Sequence, residues 1–187
     1  MVDLLELQKS FILQHLHEGD IAADFTMGNG HDTEFLCRSV GEKGHVYAFD
    51  IQQKALDSTK ERLHAADLLD RATLILDSHS NAAKYIDKPL KASMFNLGYL
   101  PGSGKKEITT MRETTLPAVE FAIEQTAPDG IVLIAVYPGH EEGDAEGKML
   151  YEKLGTYPRY KICCSIFRIL NSPTSPYFYI VEKRDRL

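Results

Sequence analysis

Hydrophobic positions along the chain follow two spacings. Leu4, Leu7, Phe11, Ile12 and Leu16 recur every three to five residues, which predicts an opening amphipathic helix stopped by Gly19-Asp20. Ile21 to Phe25 is a short apolar run and predicts a buried strand. A turn with two glycines then leads into a helix from about His31 to Val40, and Gly41 and Gly44 bracket the next loop. His45 to Asp50 predicts a second strand, and Ala55, Leu56, Thr59, Leu63 and Ala66 mark one face of the helix after it. Further strands are expected at Ala72 to Leu76, Ala92 to Asn96 and Gly130 to Val136. A helix before the last of these contains Pro117, which is comfortable only in a first turn, so the helix starts near Pro117 or kinks there. Asp144 to Leu154 reads as a helix, since Met149, Leu150 and Leu154 share a face. Two β-rich runs close the chain, Tyr160 to Phe167 and Tyr177 to Glu182, with Asn171-Ser172-Pro173 between them.

Strands alternating with helices imply right-handed βαβ crossovers and an open, doubly wound α/β sheet. The last two strands are too close in sequence for a crossover and must pair antiparallel. The expected fold is therefore a seven-stranded, mostly parallel sheet with a C-terminal antiparallel hairpin. No repeat or linker interrupts it, so residues 1–187 are expected to form a single domain.

Composition narrows the setting. No apolar run approaches the roughly 20 residues of a membrane span. The first residues carry acids and no basic stretch, unlike a secretory signal. Cys37 stands alone and Cys163-Cys164 are adjacent, which is no disulfide framework. A cytoplasmic protein is expected. The net charge of −6 disfavours a broad nucleic-acid binder. After Leu150, however, seven basic residues face three acidic ones, leaving +4 there and −10 elsewhere. A basic tail on an acidic body is compatible with an RNA contact along one side, and equally with a solvated face.

Ligands of open α/β sheets bind beyond the strand carboxyl ends, so the residues there carry the chemistry. The first strand ends in Asp24-Phe25-Thr26-Met27-Gly28-Asn29-Gly30-His31-Asp32. Its glycines let backbone approach a ligand at a helix N-terminus, and Asp24 suits an ammonium group. Asp50 ends the second strand, where a carboxylate can accept two ribose hydroxyls. Asp77-Ser78-His79 ends the third, where an acid or amide commonly holds an adenine amino group. Three polar stops at three strand ends are more specific than any one, although each Asp could simply cap the next helix. A dinucleotide would require a third glycine where Thr33 stands, and the chain has no second mononucleotide half. The balance favours S-adenosylmethionine.

The fourth strand ends in Asn96-Leu97-Gly98-Tyr99-Leu100-Pro101-Gly102, spaced like the Asn-Pro-Pro-Tyr loop of amino-group methyltransferases. In such a loop the Asn oxygen and the next carbonyl orient a substrate nitrogen, and the aromatic ring stacks on the planar base. Here Asn96 would orient, Leu97 would offer its carbonyl and Tyr99 would stack; Leu97-Gly98 replaces the two prolines. Tyr137-Pro138-Gly139-His140-Glu141-Glu142-Gly143 reads as a substrate loop, in which His140 either relays a proton or caps a helix. His31, His79 and His140 include no close-spaced ligand pair, so no metal site is expected.

Three segments, Asp24–Thr33, Phe95–Gly102 and Tyr137–Gly143, resemble the small bacterial rRNA-methylase family of class I, Rossmann-like methyltransferases, along nearly the whole chain. The resemblance implies an S-adenosylmethionine-dependent enzyme that converts the 5-aminomethyl group of the tRNA wobble (2-thio)uridine to methylaminomethyl. It implies that Asp24, Thr26, Gly28, Asn29, Gly30, Asp50, Asp77 and Ser78 hold the cofactor, with His31, Asp32, Gln52 and His79 close to it. Asn96, Tyr99 and His140 would face the acceptor amine, Asn96 also bordering the cofactor. The implied partners are a tRNA anticodon stem-loop and a second copy of the chain, with no membrane and no metal. Thr26 departs from the glycine many methyltransferases carry there. An rRNA or small-amine acceptor is the alternative; a nicotinamide oxidoreductase or a non-catalytic RNA-binding module fits less well.

Overall fold

The computed structural model describes residues 3–98, 110–139 and 141–184. Its elements run α1 Leu4–Ile12, β1 Ile21–Asp24, α2 His31–Val40, β2 His45–Asp50, α3 Gln53–Ala65, β3 Ala72–Leu76, a 3-10 helix His79–Lys84, β4 Leu90–Leu97, α4 Arg112–Gln125, β5 Thr126–Val136, α5 Glu141–Leu154, β6 Ile162–Phe167 and β7 Tyr177–Lys183. The seven strands form one sheet in the order β3-β2-β1-β4-β5-β7-β6. Strands β1 to β5 are parallel, and β7 inserts antiparallel between β5 and β6. The chain direction of the winding reverses between β1 and β4, which places the topological switch point there.

Both faces of the sheet are covered, which is why the central strands read as nearly continuous apolar runs rather than alternating ones. One face buries Phe25, Phe49, Phe95, Leu97, Val119 and Tyr179; the other buries Ile12, Leu36, Val46, Leu63, Met94 and Phe178. Three phenylalanines adjoin the polar strand ends. Phe25 stacks on Phe95 with centroids 4.4 Å apart, and on Phe49 at 5.6 Å. Such pairs contribute about 0.5–1.5 kcal/mol each beyond their burial. Each phenylalanine is the chain neighbour of a polar residue at a strand end: Asp24, Asp50 and Asn96.

Element ends differ from the expectation for identifiable reasons. Helix α1 stops at Ile12, and Leu16 reaches the core from the turn that follows. Strand β1 ends at Asp24, one residue before Phe25. Strand β4 begins at Leu90 and β5 at Thr126, earlier than expected, because a register shift between Leu90 and Ala92 lets the polar Ala127-Pro128-Asp129 stretch be accommodated. Helix α4 begins at Arg112, so Pro117 lies inside it; both Pro117 and Glu113, whose carbonyl loses its donor, are exposed to water. Helix α5 starts at Glu141 and β6 at Ile162.

Most of the basic tail lies at the sheet edge opposite the carboxyl ends of the parallel strands. In the antiparallel register Ile162 lies opposite Lys183, and Phe167 opposite Phe178. Arg159, Lys161, Lys183 and Arg184 therefore gather at the amino edge of the sheet, about 20 Å of strand away from the carboxyl edge. Lys183 donates there to the carbonyls of Glu124 and Thr126. Arg168 follows β6 at the carboxyl edge. None of the described helices is long and apolar enough to cross a membrane.

Candidate cofactor and acceptor site

The turn after β1 is held by side chains from three directions. Asp24, 1% exposed, accepts the Thr26 N–H at 3.1 Å and the Thr33 hydroxyl at 2.7 Å. Thr33 is fully buried, so the residue that replaces a third glycine works as a hydroxyl brace on Asp24. Asp50 accepts the N–H groups of Gly28 at 3.1 Å and Gln52 at 2.9 Å. Gly28 and Gly30 have φ of +51° and +78°. From α3, Thr59 donates to the Gly28 carbonyl at 3.1 Å, and Arg62 Nε donates to the Asn29 carbonyl at 2.8 Å. A Cβ on Gly30 would lie 2.9–3.0 Å from Thr59, so only glycine lets α3 approach this closely. Arg62 also contacts Glu34 at 3.1 Å and His31 Nε2 at 3.1 Å. A guanidinium only donates, so His31 Nε2 accepts. His31 is exposed and turned toward α3.

Electrostatics single out the same corner. Burial, the nearby Asp32 and, less, Asp50 push the Asp24 carboxyl up to about 7, against the lowering hydrogen bonds of Thr33 and Thr26. Burial also raises Asp32, opposed by Lys9, His31 and the Asn96 hydrogen bond, and raises Asp50, opposed by its backbone N–H donors. The hydrogen bonds reaching these carboxylates come from backbone, hydroxyl and amide donors. Three partly desolvated acids at one sheet edge form a pocket whose natural occupant is a cation. That donor set fits S-adenosylmethionine, with its sulfonium and ammonium charges.

At the end of β3, Asp77 accepts the Ser78 N–H at 2.7 Å, Asn81 Nδ2 at 2.8 Å and the Tyr85 hydroxyl at 2.9 Å, and Asn81 and Tyr85 hold its carboxyl below the usual range. Ser78 caps the 3-10 helix by accepting the Ser80 N–H. The capping role considered for this strand end thus falls to Ser78. His79 lies 9% exposed under the turn, its Nδ1 3.0 Å from the Phe25 carbonyl. Burial lowers its pKa, and a carbonyl can only accept, so His79 is a neutral Nδ1–H donor bracing the end of β1.

Strand β4 brings Asn96 to the same corner. Its N–H donates to the Thr26 hydroxyl at 2.7 Å, so the side chain that replaces a glycine ties β1 to β4. Asn96 Nδ2 donates to Asp32, and the Tyr137 hydroxyl lies 3.4 Å from Asn96 Oδ1. Tyr99 and His140 lie outside the described residues. Asp24, Thr26, Asp32 and Asn96 are thus linked by one set of hydrogen bonds and Gly28, Asp50 and Gln52 by another, with Asn29 held by Arg62 and Gly30 packed on Thr59 in the same turn; Asp77 and Ser78 sit at the neighbouring strand end, and His79 donates to the end of β1. Sequence reasoning missed Thr59, Arg62 and Tyr137. Thr59 gave a signal, a polar residue on the apolar face of α3; Arg62 is three residues on. Among the described residues, no group of three or more His, Cys, Asp or Glu is placed to hold a metal ion.

A parallel sheet reversing at β1/β4, a glycine turn flanked by carboxylates and an antiparallel β7 define a class I S-adenosylmethionine-dependent methyltransferase. Residues 46–183 match the family described as "Putative rRNA methylase", and the chain belongs to that family. It is 35% identical to the "tRNA (mnm(5)s(2)U34)-methyltransferase, chloroplastic" of Arabidopsis thaliana over 92% of its own length, and spans 66% of that relative. A "putative rRNA-methylase" of Clostridium thermocellum is 40% identical with a TM-score of 0.94, each chain covered to 98%. A "putative methyltransferase" of Streptococcus mutans, solved with S-adenosylhomocysteine (SAH), is 34% identical with a TM-score of 0.88, covering 98% of this chain and 99% of that one. S-adenosylmethionine is the cofactor, and the nicotinamide reading is set aside.

Proposed function

We propose that this methyltransferase acts on tRNA, converting the 5-aminomethyl group of a wobble (2-thio)uridine to 5-methylaminomethyl. The observation that carries the reading is the side chain of Asn96. With Nδ2 donated to the acceptor-only Asp32 carboxylate, Oδ1 is the acceptor end of the side chain; it takes the Tyr137 hydroxyl at 3.4 Å and keeps a second lone pair for a substrate N–H. An oxygen fixed in that way accepts an N–H and aims the nitrogen lone pair, which is what amine methylation requires. The name of the Arabidopsis relative supports the same acceptor.

S-adenosylmethionine supplies an electrophilic methyl group when bound. In this reading Asp50 accepts the ribose hydroxyls, Asp24 neutralises the ammonium, and Asp77 with Ser78 addresses the adenine amino group. Thr26, Gly28, Asn29, Gly30, His31, Asp32 and Gln52 shape the pocket, and His79 supports it from below. Tyr99 would stack on the uracil, and His140 would face the acceptor amine. The reading extends to a single domain acting as a cytoplasmic homodimer on the anticodon stem-loop without a metal.

Nucleoside analysis of tRNA from a strain lacking this gene tests the proposal. Accumulated 5-aminomethyl-2-thiouridine, cleared when the gene is restored, is the expected result. Unchanged wobble nucleosides, with a methyl group missing from rRNA, would move the activity to another RNA.

A further inference from the structure

We infer that Asp32 takes the proton from the acceptor ammonium before methyl transfer, and that its contact with Asn96 places it for that step. The inference rests on the amine-acceptor reading above. A primary alkyl ammonium, like lysine, has a pKa near 10, so at neutral pH the acceptor nitrogen has no lone pair. Some group must remove a proton first.

The neighbouring side chains leave few candidates. Asn96 orients but cannot accept a proton. Tyr137 is held as the neutral phenol by burial and by Asp32. Asp24 is buried, with one oxygen on the Thr26 N–H and the other on the Thr33 hydroxyl. Asp50 is bound by the N–H groups of Gly28 and Gln52, at the end of β2. Asp32 differs from both in its partner: from the first turn of α2 it touches the side chain that addresses the acceptor. A nitrogen bonded to Asn96 Oδ1 lies one amide group away from that carboxylate, within reach of a direct or single-water proton transfer.

The groups facing Asp32 are Asp24 from β1, His31 beside it on α2, Lys9 from α1, Asn96 from β4 and Tyr137 beyond β5. Burial lifts its carboxyl above the ordinary value, although Lys9, His31 and Asn96 pull the other way. A base with a raised pKa accepts a proton more readily. The step balances. The N–H bond of the ammonium breaks and an O–H bond forms on Asp32. The freed lone pair forms the N–CH3 bond as the S–CH3 bond breaks, its electrons remaining on sulfur. The product leaves as a secondary ammonium, and Asp32 returns its proton to water.

Asp32→Asn separates proton transfer from orientation, because its Oδ1 can still accept the Asn96 Nδ2 hydrogen. The assay is the pH–rate profile with aminomethyl-bearing tRNA, alongside SAH affinity. Turnover of Asp32→Asn should fall at least about 100-fold at pH 7, within the range for a lost general base. The deficit should narrow toward pH 9.5, where free amine becomes abundant, with turnover read at saturating S-adenosylmethionine so that a change in cofactor affinity, followed as the SAH Kd, is kept apart. A deficit constant across pH, or one below threefold, would overturn the inference. So would a narrowing deficit in His140→Ala with none in Asp32→Asn. If Asp32→Asn fails to fold, Asp32→Ala with added formate replaces it: recovered turnover supports the role and no recovery refutes it. A wild-type enzyme inactive on aminomethyl-tRNA would refute the acceptor reading instead, and that is read without any variant.

Discussion

Replacing Asp24 by asparagine should act in opposite directions on the two states of the protein. Asp24 is 1% exposed, and its carboxyl sits at about 7 instead of the ordinary 3.8. A folded pKa raised above the unfolded one means that the folded state binds the proton more tightly. The stability this brings is fully present below pH 3.8 and is lost as pH rises through about 7. A rise of about three units, at 1.36 kcal/mol each, corresponds to a burden of about 4 kcal/mol at pH 8. At pH 5 the burden is under about 2 kcal/mol. Asparagine has the same shape and no charge. Its oxygen can accept the Thr26 N–H, and its amide can donate to Thr33 once that hydroxyl turns. The cofactor-free variant should therefore melt higher than wild type at pH 8, by roughly 8–16 °C at 2–4 °C per kcal/mol, and by much less at pH 5. In the proposed site the same change removes the charge that would meet the ligand ammonium, so SAH should raise the melting temperature of wild type strongly and of the variant weakly. Scanning calorimetry at both pH values, with and without SAH, measures all four quantities. A variant less stable than wild type at pH 8, or one with an undiminished response to SAH, would refute the reasoning.

Three further outcomes are expected. Arg62→Ala frees the Asn29 carbonyl and should weaken SAH binding about tenfold by calorimetric titration, with Arg62→Lys intermediate; equal affinity in all three would remove the clamp role. Gly147→Ala drives a methyl group to 2.0 Å from the Tyr177 hydroxyl and should cost about 1–3 kcal/mol of stability, recovered in part by Tyr177→Phe; denaturant midpoints decide it. Asn96→Ala should lower kcat about 100-fold while the SAH Kd changes less than twofold, and normal turnover would sink the orienting role.

Much of this arrangement is legible in the sequence because strand ends in a parallel sheet announce themselves. A buried run must stop at a polar residue, and the stops at Asp24, Asp50, Asp77 and Asn96 fall at or next to the ends of β1, β2, β3 and β4. The parallel course of the first five strands and the antiparallel pairing of the last two followed from connection lengths. What stayed hidden are contacts between segments far apart in the chain. Arg62 reads as an ordinary helical cation until α3 is laid against the glycine turn. Thr26 and Thr33 read as departures from glycine patterns, whereas their hydroxyls fasten Asn96 and Asp24. The charge asymmetry of the tail does not tell where its cations sit. Strand direction, not composition, decides which edge a cation occupies, and the antiparallel β7 carries Lys183 to the far one. The early starts of β4 and β5 were masked by Pro128 and by Asp129, a non-glycine residue at φ +55°.

The central claim is that a tRNA wobble amine accepts the methyl group. Purified protein incubated with labelled S-adenosylmethionine and tRNA from a strain lacking this gene, followed by digestion and nucleoside analysis, tests it most directly. Label in 5-methylaminomethyl-2-thiouridine, abolished by Asn96→Ala, is the predicted result. Label absent from that nucleoside but present in rRNA or in a small amine would contradict it, leaving the fold and the cofactor in place.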